Sequence, residues 1–322
     1  MNGVLIIDKS AGLTSHDVVN RARRYLQQRS IGHLGTLDPM ATGVLPLVAG
    51  TLTRLAQFYT SAEKTYDGTI RFGFATDTYD AEGEPTAPQK QVSLSRDEVE
   101  ALAARFRGVI EQTPPPFSAK KIHGVPAYKL ARKQKDVVLK PVQVEIKEFE
   151  ILAVEVATAR FRARVASGTY MRSVAHDMGQ LLGCGAHLES LRRTAVAEFK
   201  IEDAHTLEEL EIHCHPDRSF PFPEGKGSGV VGPCVGPTST LDSLFVHPRK
   251  LLPDLPSVTA DEATAARIRS GRPVNLPELS RARHVKVFSG QRDLLAIATR
   301  VAGTLFHPKI VLCGTDTPVR RL

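Results

Sequence analysis

A stretch rich in glycine and proline divides this sequence into two parts. Ten of the 23 residues at 216–238 are Gly or Pro, and such a composition does not sustain regular helices or strands. The chain has 322 residues, which is long enough for one large and one small domain. We therefore predict a main domain at 1–212, an insert and linker at 213–256, and a small module at 257–322.

The first part mixes strand patterns with helix patterns. Three segments have the apolar run or the alternation of a strand, namely residues 4–7, 43–49 and 66–72. Two capping boxes predict helix starts, Thr14 with Asp17 and Ser95 with Glu98. Gly108 is placed to end the second helix. This mixture predicts an α+β fold.

Further elements are predicted later in the chain. Apolar residues alternate at 142–146 and 161–165, and the opposite face of the second strand carries Arg160, Arg162 and Arg164. A helical stripe comprises Tyr170, Val174, Met178 and Leu181, with Gly183 after it. The small module shows a short helix at 261–268 and strand runs at 284–288, 294–301 and 309–312. The module is therefore predicted to be β-rich.

The charge of the chain favours a polyanionic partner. The formal net charge is +7 and the pI is about 9.3, a balance typical of nucleic-acid binding. An insertion at about 117–140 is basic, with His123 and Tyr128 among its lysines and arginines, as in segments that bind phosphates. An ordinary solvated hairpin has the same composition. The residues alone leave both interpretations open.

Membrane and metal sites are not indicated. No apolar run approaches the roughly 18 residues that a membrane span requires, and the apolar start is too short for a signal peptide. We therefore expect a cytoplasmic protein that contacts no membrane. The four cysteines form no CxxC pair and are interpreted as free thiols. His213, Cys214 and His215 are adjacent, and adjacent residues rarely converge on one ion, so we expect no metal site.

The segment with the most chemical information is residues 32–43. It places His33, Asp38 and three glycines between two apolar elements, which predicts an ordered loop. Asp38 before Pro39 is a candidate catalytic carboxylate, but an aspartate there also initiates turns. The sequence contains no GxxxxGK[ST], GxSxG or HExxH motif and no GxGxxG motif after a predicted strand, so we expect chemistry that uses no cofactor.

Six blocks in order closely resemble the TruB family of tRNA pseudouridine-55 synthases. They are residues 3–9 with 32–45, then 64–66, 76–80, 116–121, 167–173, and 183–188 leading to 191–193. The likeness covers residues 3 to about 212 strongly. Residues 257–312 resemble a PUA-like RNA-binding module more weakly, best at 270–274. We identify no resemblance for the insert at 216–238.

The resemblance implies a fold and an activity. The implied fold is that of the pseudouridine synthases, a mixed and mainly antiparallel sheet flanked by helices. The implied reaction is the isomerisation of uridine to pseudouridine at position 55, in the T loop of tRNA, without metal or cofactor. Asp38 matches the family nucleophile, which acts after the base has flipped out of its stack. Attack at the base C6 and attack at the ribose C1′ both remain open.

The resemblance also implies roles for other residues. Arg172 matches an arginine that pairs with the nucleophile, and Tyr66 matches a tyrosine that stacks on the target base. The remaining matches are expected to bind substrate: His33 in the space that the base leaves, Tyr170 and Leu191 in the base pocket, Asp80 near the site, and Lys9 on phosphates. Core packing, a turn or a structural ion pair is the alternative for each.

Two other functions share parts of this pattern. A guide-RNA-dependent synthase resembles the chain at Asp38, but the insertion at 117–140 favours an enzyme that acts alone. A non-catalytic RNA-binding or RNA-folding protein is the second alternative, and Asp38, Tyr66 and Arg172 argue against it. We therefore expect tRNA as partner, no guide RNA and a monomeric enzyme.

Overall fold

The computed structural model describes residues 1–118, 120–122, 124–127, 139–214, 241, 243–278 and 280–312. Its α-helices are α1 (Ser15–Tyr25), α2 (Arg96–Ala104), α3 (Met171–Leu181), α4 (Leu207–Cys214) and α5 (Glu262–Arg269). Short 3-10 helices lie at Gly50–Phe58, Ile201–Asp203 and Pro248–Lys250.

The strands of the first part are β1 (Gly3–Lys9), β2 (Ile31–His33), β3 (Thr42–Ala49), β4 (Lys64–Phe72), β5 (Gly108–Gln112), β6 (Lys121–Ile122), β7 (Val125–Pro126), β8 (Val142–Glu155), β9 (Thr158–Val165), β10 (Ala186–Val196) and β11 (Phe199–Lys200). Those near the C-terminus are β12 (Ser257–Ala260), β13 (Val274–Asn275), β14 (His284–Ser289), β15 (Asp293–Ala302) and β16 (Leu305–Val311).

The large sheet is mixed and mainly antiparallel. Its strand order is β1-β3-β10-β4-β9-β8-β5, with β2 added to β3 and β11 added to β10. Only the short β3–β10 pairing is parallel among the described strand pairs of this sheet. Helix α2 packs against β8, α3 against β10, and α1 against α4. The predicted α+β class and the predicted type of sheet are confirmed.

Both predicted capping boxes are present. The Thr14 hydroxyl accepts from Asp17 N at 3.1 Å, and the Asp17 carboxylate accepts from Thr14 N at 2.9 Å. Ser95 and Glu98 repeat this arrangement at α2. Two details were wrong. Helix α2 ends at Ala104, so Gly108 begins β5 instead of ending the helix, and Leu181 is half-exposed instead of completing an apolar stripe.

The predicted basic face of β9 is largely neutralised by acidic side chains. Arg162 donates to both carboxylate oxygens of Asp67 at 2.7 and 2.8 Å. Arg164 donates to Glu63 at 2.8 Å and to Glu148 at 2.6 Å. Two of the three arginines predicted on this face therefore hold neighbouring strands together at the surface.

The parallel junction of β3 and β10 depends on a glycine. Gly43 has φ +100°, and a methyl group there would lie within 3.0 Å of the Arg193 backbone N and C. We expect Gly43→Ala to lower the free energy of unfolding by about 2 to 4 kcal/mol, because strain at positive φ adds to overpacking. Urea unfolding measures this. Gly108→Ala is the control, since Gly108 has φ +87° with open space around it; equal losses would contradict the packing argument.

The C-terminal module is a second sheet, as predicted. Its order is β12-β14-β15-β16-β13, and α5, capped by Asp261 on Thr264 N at 2.8 Å, packs on it. One apolar core joins this module to the large sheet. It includes residues from both parts, such as Val4, Ile6, Val44, Val48, Phe288, Leu294, Ile297 and Ile310. The module therefore packs on the face of β1 and β3.

Several sequence predictions fall outside the described residues. These include the insert at 216–238, most of the basic insertion, His215, Cys234 and Cys313. Cys184 is a free thiol, as predicted. In the part of the chain that the structure describes, no helix is both long and apolar enough to span a membrane. Within the same residues, no group of three or more His, Cys, Asp or Glu side chains is placed to hold a metal ion.

Candidate active site

Asp38 lies in a loop between β2 and β3 whose backbone is fixed on both sides. Ser15 at the start of α1 bonds twice to Leu37, with its hydroxyl donating to Leu37 O at 3.1 Å and accepting from Leu37 N at 2.8 Å. On the other side, Gly12 N donates to Pro39 O at 2.9 Å. Such fixed geometry is what a catalytic side chain requires.

Arg193 on β10 fixes the same loop through hydrogen bonds to its backbone. Its side chain is fully buried, and it donates to the carbonyls of Val44 at 2.7 Å, Thr36 at 3.2 Å and Gly35 at 3.1 Å. The planar guanidinium suits several acceptors in one plane. Arg193 therefore ties the loop to the middle of the large sheet.

The structure does not support the prediction that Lys9 binds phosphates. Lys9 has no exposed surface, and its ammonium donates to the carbonyls of Ser10 at 2.9 Å, Leu13 at 2.7 Å and Pro39 at 3.1 Å. All three donors of a lysine are thus occupied. Burial lowers the pKa of Lys9 to about 8, and nearby Asp38 opposes this shift. Lys9 fixes the loop and does not reach solvent.

The Asp38 carboxylate pairs with Arg172, as predicted. Arg172 Nε lies 2.9 Å from Asp38 Oδ2, and Arg172 Nη2 donates to Asp38 Oδ1 at 3.0 Å. The Arg172 side chain is 6% exposed, whereas that of Asp38 is 34% exposed. Burial raises the pKa of the Asp38 carboxyl, and the Arg172 guanidinium opposes the rise. The pair leaves one open face on the carboxylate.

Asp80 stands behind Arg172 and does not line the cleft. Its side chain is 4% exposed and lies 3.2 Å from Arg172 Nη1, while the Thr78 hydroxyl donates to it at 2.6 Å. The prediction that Asp80 contacts substrate is therefore not supported, because Arg172 separates it from Asp38. Its observed role is to orient the guanidinium, together with the carbonyls of Thr78 at 3.3 Å and Phe117 at 3.0 Å.

An aromatic pair holds the segment that contacts Arg172. Tyr79 stacks on His176 with ring centroids 3.8 Å apart and planes 14° apart. His176 lies one helical turn after Arg172 on α3, and Tyr79 lies between Thr78 and Asp80 in the chain. Tyr79 has φ +67°, a strained conformation for a bulky residue. The stack thus connects the strained segment to the helix that carries Arg172.

A cleft of about 410 Å³ opens above Asp38. The predicted residues His33, Tyr66, Tyr170 and Leu191 all line it, along with Asp38 and Arg172. Tyr66 and Leu191 are 7% and 8% exposed. The backbone of Tyr170 is held by the Gln112 amide, which accepts from Tyr170 N at 2.8 Å. Burial lowers the pKa of His33, which favours the neutral ring at this wall.

Sequence reasoning missed some residues of the site. Lys64 and Ser118 line the cleft, and both lie in blocks that carry the family resemblance. Lys64 is two residues before Tyr66 on β4, so alternation along a strand places both on one face. That spacing was a usable signal for Lys64. Arg193 also lies in such a block, two residues after Leu191, but no strand was predicted there, so the sequence did not show that its side chain is buried.

Comparison with known families adds the decisive observation. Residues 23–171 match "TruB family pseudouridylate synthase (N terminal domain)", and residues 172–219 match "tRNA pseudouridylate synthase B C-terminal domain". The chain belongs to the TruB family. The predicted family and the predicted enzyme class, an isomerase of the pseudouridine synthase type, are thereby confirmed.

Relatives of this TruB family member align along most of its length. The tRNA pseudouridine synthase B of Solibacter usitatus (strain Ellin6076) is 48% identical over 317 residues, which is 97% of this chain and 100% of the relative. That of Azoarcus sp. (strain BH72) is 36% identical and covers 98% of this chain and 96% of the relative.

Solved structures share the TruB fold at lower identity. A chain in an H/ACA RNP bound to a substrate RNA containing 2'-deoxyuridine has a TM-score of 0.68 at 22% identity, covering 98% of this chain and 86% of that chain. A chain in a Cbf5-Nop10-Gar1 complex has a TM-score of 0.67 at 24% identity, covering 97% and 85%. These likenesses bear on the fold alone.

Proposed function

We propose that this protein isomerises uridine to pseudouridine at position 55, in the T loop of tRNA, with Asp38 as the nucleophile. The observation that carries the proposal is a carboxylate with one open face, fixed by Arg172 at 2.9 Å, at the base of a cleft lined by Tyr66 and Leu191. The names of the full-length relatives, tRNA pseudouridine synthase B, support tRNA as the substrate.

The target base enters the cleft by flipping out of the stacked T arm. Unstacking a base costs a few kcal/mol, which contacts in the cleft offset. Tyr66, Tyr170 and Leu191 offer flat and apolar surfaces to a pyrimidine, and base stacking on an aromatic ring contributes about 1 to 3 kcal/mol. His33, at the wall of the cleft, is available to occupy the space that the base leaves.

Asp38 then acts as a covalent catalyst. Its carboxylate adds to the bound nucleotide at C6 of the base or at C1′ of the ribose, and the bond between N1 and C1′ breaks. The uracil turns while it remains in the cleft, and a bond forms between C5 and C1′. The bond to Asp38 breaks, which restores the carboxylate, and N1 takes up a proton from solvent. The C5 proton leaves to solvent, with Tyr66 taking part in its removal. No electron is gained or lost, so the reaction calls for no redox cofactor.

The rest of the chain binds the body of the tRNA. We assign residues 1–212 to catalysis, with the basic insertion at about 117–140, residues 213–256 to a linker, and residues 257–322 to a PUA-like module that contacts RNA. Residues 257–322 carry 11 Lys and Arg against 5 Asp and Glu, so most of the net charge of +7 lies in this module and supports its binding to a polyanion. We further propose that the protein acts as a cytoplasmic monomer without guide RNA.

Tritium release tests this proposal. Unmodified tRNA carrying tritium at C5 of every uridine is incubated with the pure protein, without cofactor or guide RNA. We expect release to approach one tritium per tRNA, and to vanish for a matched transcript with cytidine at position 55. Release from the cytidine transcript would move the reaction to another uridine. Tight binding without release would instead favour a non-catalytic RNA-binding protein.

A further inference from the structure

Two lysines lie close to the loop of Asp38, and their surroundings differ. Lys9 is sealed from solvent with its ammonium shared among three carbonyls. Lys64 is half-buried, lines the cleft and donates to Ala62 O at 2.7 Å. A lysine ammonium has three donors. Lys64 is therefore the one of the two that retains donors for a ligand in the cleft.

The charges around Lys64 point to an anion. A methyl group added at Gly35 would lie 3.5 Å from Lys64 Cε and 3.6 Å from Arg193 Nη1, so the two cations flank the same glycine. Among the described residues, no carboxylate lies within ion-pair distance of Lys64. Burial, with Arg193 adding to it, lowers the pKa of Lys64 to about 8. An anionic ligand would relieve this repulsion.

We propose that Lys64 binds one of the two phosphodiester groups that flank the flipped nucleotide. This inference rests on the proposed function, because it takes the ligand of the cleft to be a nucleotide within an RNA chain. Lys64 and Tyr66 lie two residues apart on one face of β4, so a base against Tyr66 brings its own backbone towards Lys64. The backbone phosphate is the anion that a flipped nucleotide carries with it.

A binding cycle with neutral linkages tests the inference. T-arm stem-loops are made with a methylphosphonate at the linkage 5′ or 3′ of the target uridine, and Kd is measured with the full chain carrying Asp38→Asn, which keeps the RNA unmodified. In the Asp38→Asn protein we expect the methylphosphonate at one of the two positions to weaken binding roughly 10-fold, the loss expected for a hydrogen bond to a charged group. Adding Lys64→Gln should weaken binding to normal RNA by a similar factor and abolish the effect of that linkage.

Lys90→Gln is the matched control. Lys90 also donates to a backbone carbonyl at 2.7 Å, that of Gly183, and it does not line the cleft. It should leave the methylphosphonate effect unchanged. If the methylphosphonate weakens binding equally in the Asp38→Asn protein with and without Lys64→Gln, the inference is overturned. The tritium assay, which uses wild-type protein, would still report on the proposed function.

The pH dependence of binding gives a second readout that a structural lysine would not produce. A bound phosphate favours the charged ammonium, so RNA affinity should be full below pH 8 and decrease as pH rises through about 8. Lys64→Gln should remove this decrease, and Lys64→Arg should move it to higher pH. The same pH profile in all three proteins would count against the contact.

Discussion

Asp38→Asn should abolish turnover while leaving the protein folded and able to bind tRNA. An amide is not a nucleophile at neutral pH, so the single-turnover rate of tritium release should fall by at least about 10⁴-fold. Binding should persist, because the cleft walls are unchanged. Burial raises the pKa of the Asp38 carboxyl, so the ionised group opposes folding at neutral pH. The free energy of unfolding should therefore not decrease in the variant.

Asp67→Asn is the matched control for this experiment. Asp67 is also paired with an arginine, Arg162, and its side chain is 33% exposed against 34% for Asp38. The same chemical change away from the cleft should leave the rate of tritium release within about twofold. A normal rate of tritium release in Asp38→Asn would contradict Asp38 as the nucleophile. An equal decrease of this rate in Asp67→Asn would mean that the substitutions act by damaging the fold.

Local sequence signals predicted much of the fold correctly. The capping boxes at Thr14 and Ser95 specify helix starts through bonds within one turn, so they can be identified without tertiary information. The central strand β10 had no counterpart among the predicted strands. Its register shifts between Leu188 and Ser190 and again between Arg193 and Ala195. These irregularities break the alternation by which a strand is detected.

Buried charges limited the prediction of the site. Lys9 and Arg193 are of residue types that usually lie at the surface. Each is nevertheless fully buried, because backbone carbonyls accept hydrogen bonds from its side chain. All three acceptors of Arg193 lie far away in the chain, whereas for Lys9 only Pro39 does, since Ser10 and Leu13 follow it closely. Burial of these charges therefore depends in part on distant segments, which no local pattern encodes.

The predicted residues that do line the cleft, among them Tyr66, Tyr170 and Leu191, were in contrast found through the family resemblance. Without that resemblance, the sequence did not distinguish a turn-forming role of Asp38 from a catalytic one.

Arg172→Lys should slow catalysis and shift its pH dependence. A lysine retains the charge but cannot contact Asp38, Asp80 and two carbonyls at once, as Arg172 does. Loss of that geometry should lower the single-turnover rate by roughly 10²- to 10³-fold. The Kd for tRNA should change little, because the Arg172 side chain is 6% exposed and faces the carboxylates.

The pH profile of Arg172→Lys distinguishes orientation from simple damage to the fold. In the wild type, burial raises the pKa of Asp38 and Arg172 opposes the rise, so the rate should fall on acidification at a midpoint above the ordinary value of about 3.9. A weaker ion pair lets that pKa rise further, so the midpoint in the variant should move to higher pH. Arg162→Lys, at the pair with Asp67, should keep the wild-type midpoint. A slow Arg172→Lys variant with an unshifted midpoint would mean that Arg172 does not control the ionisation of Asp38.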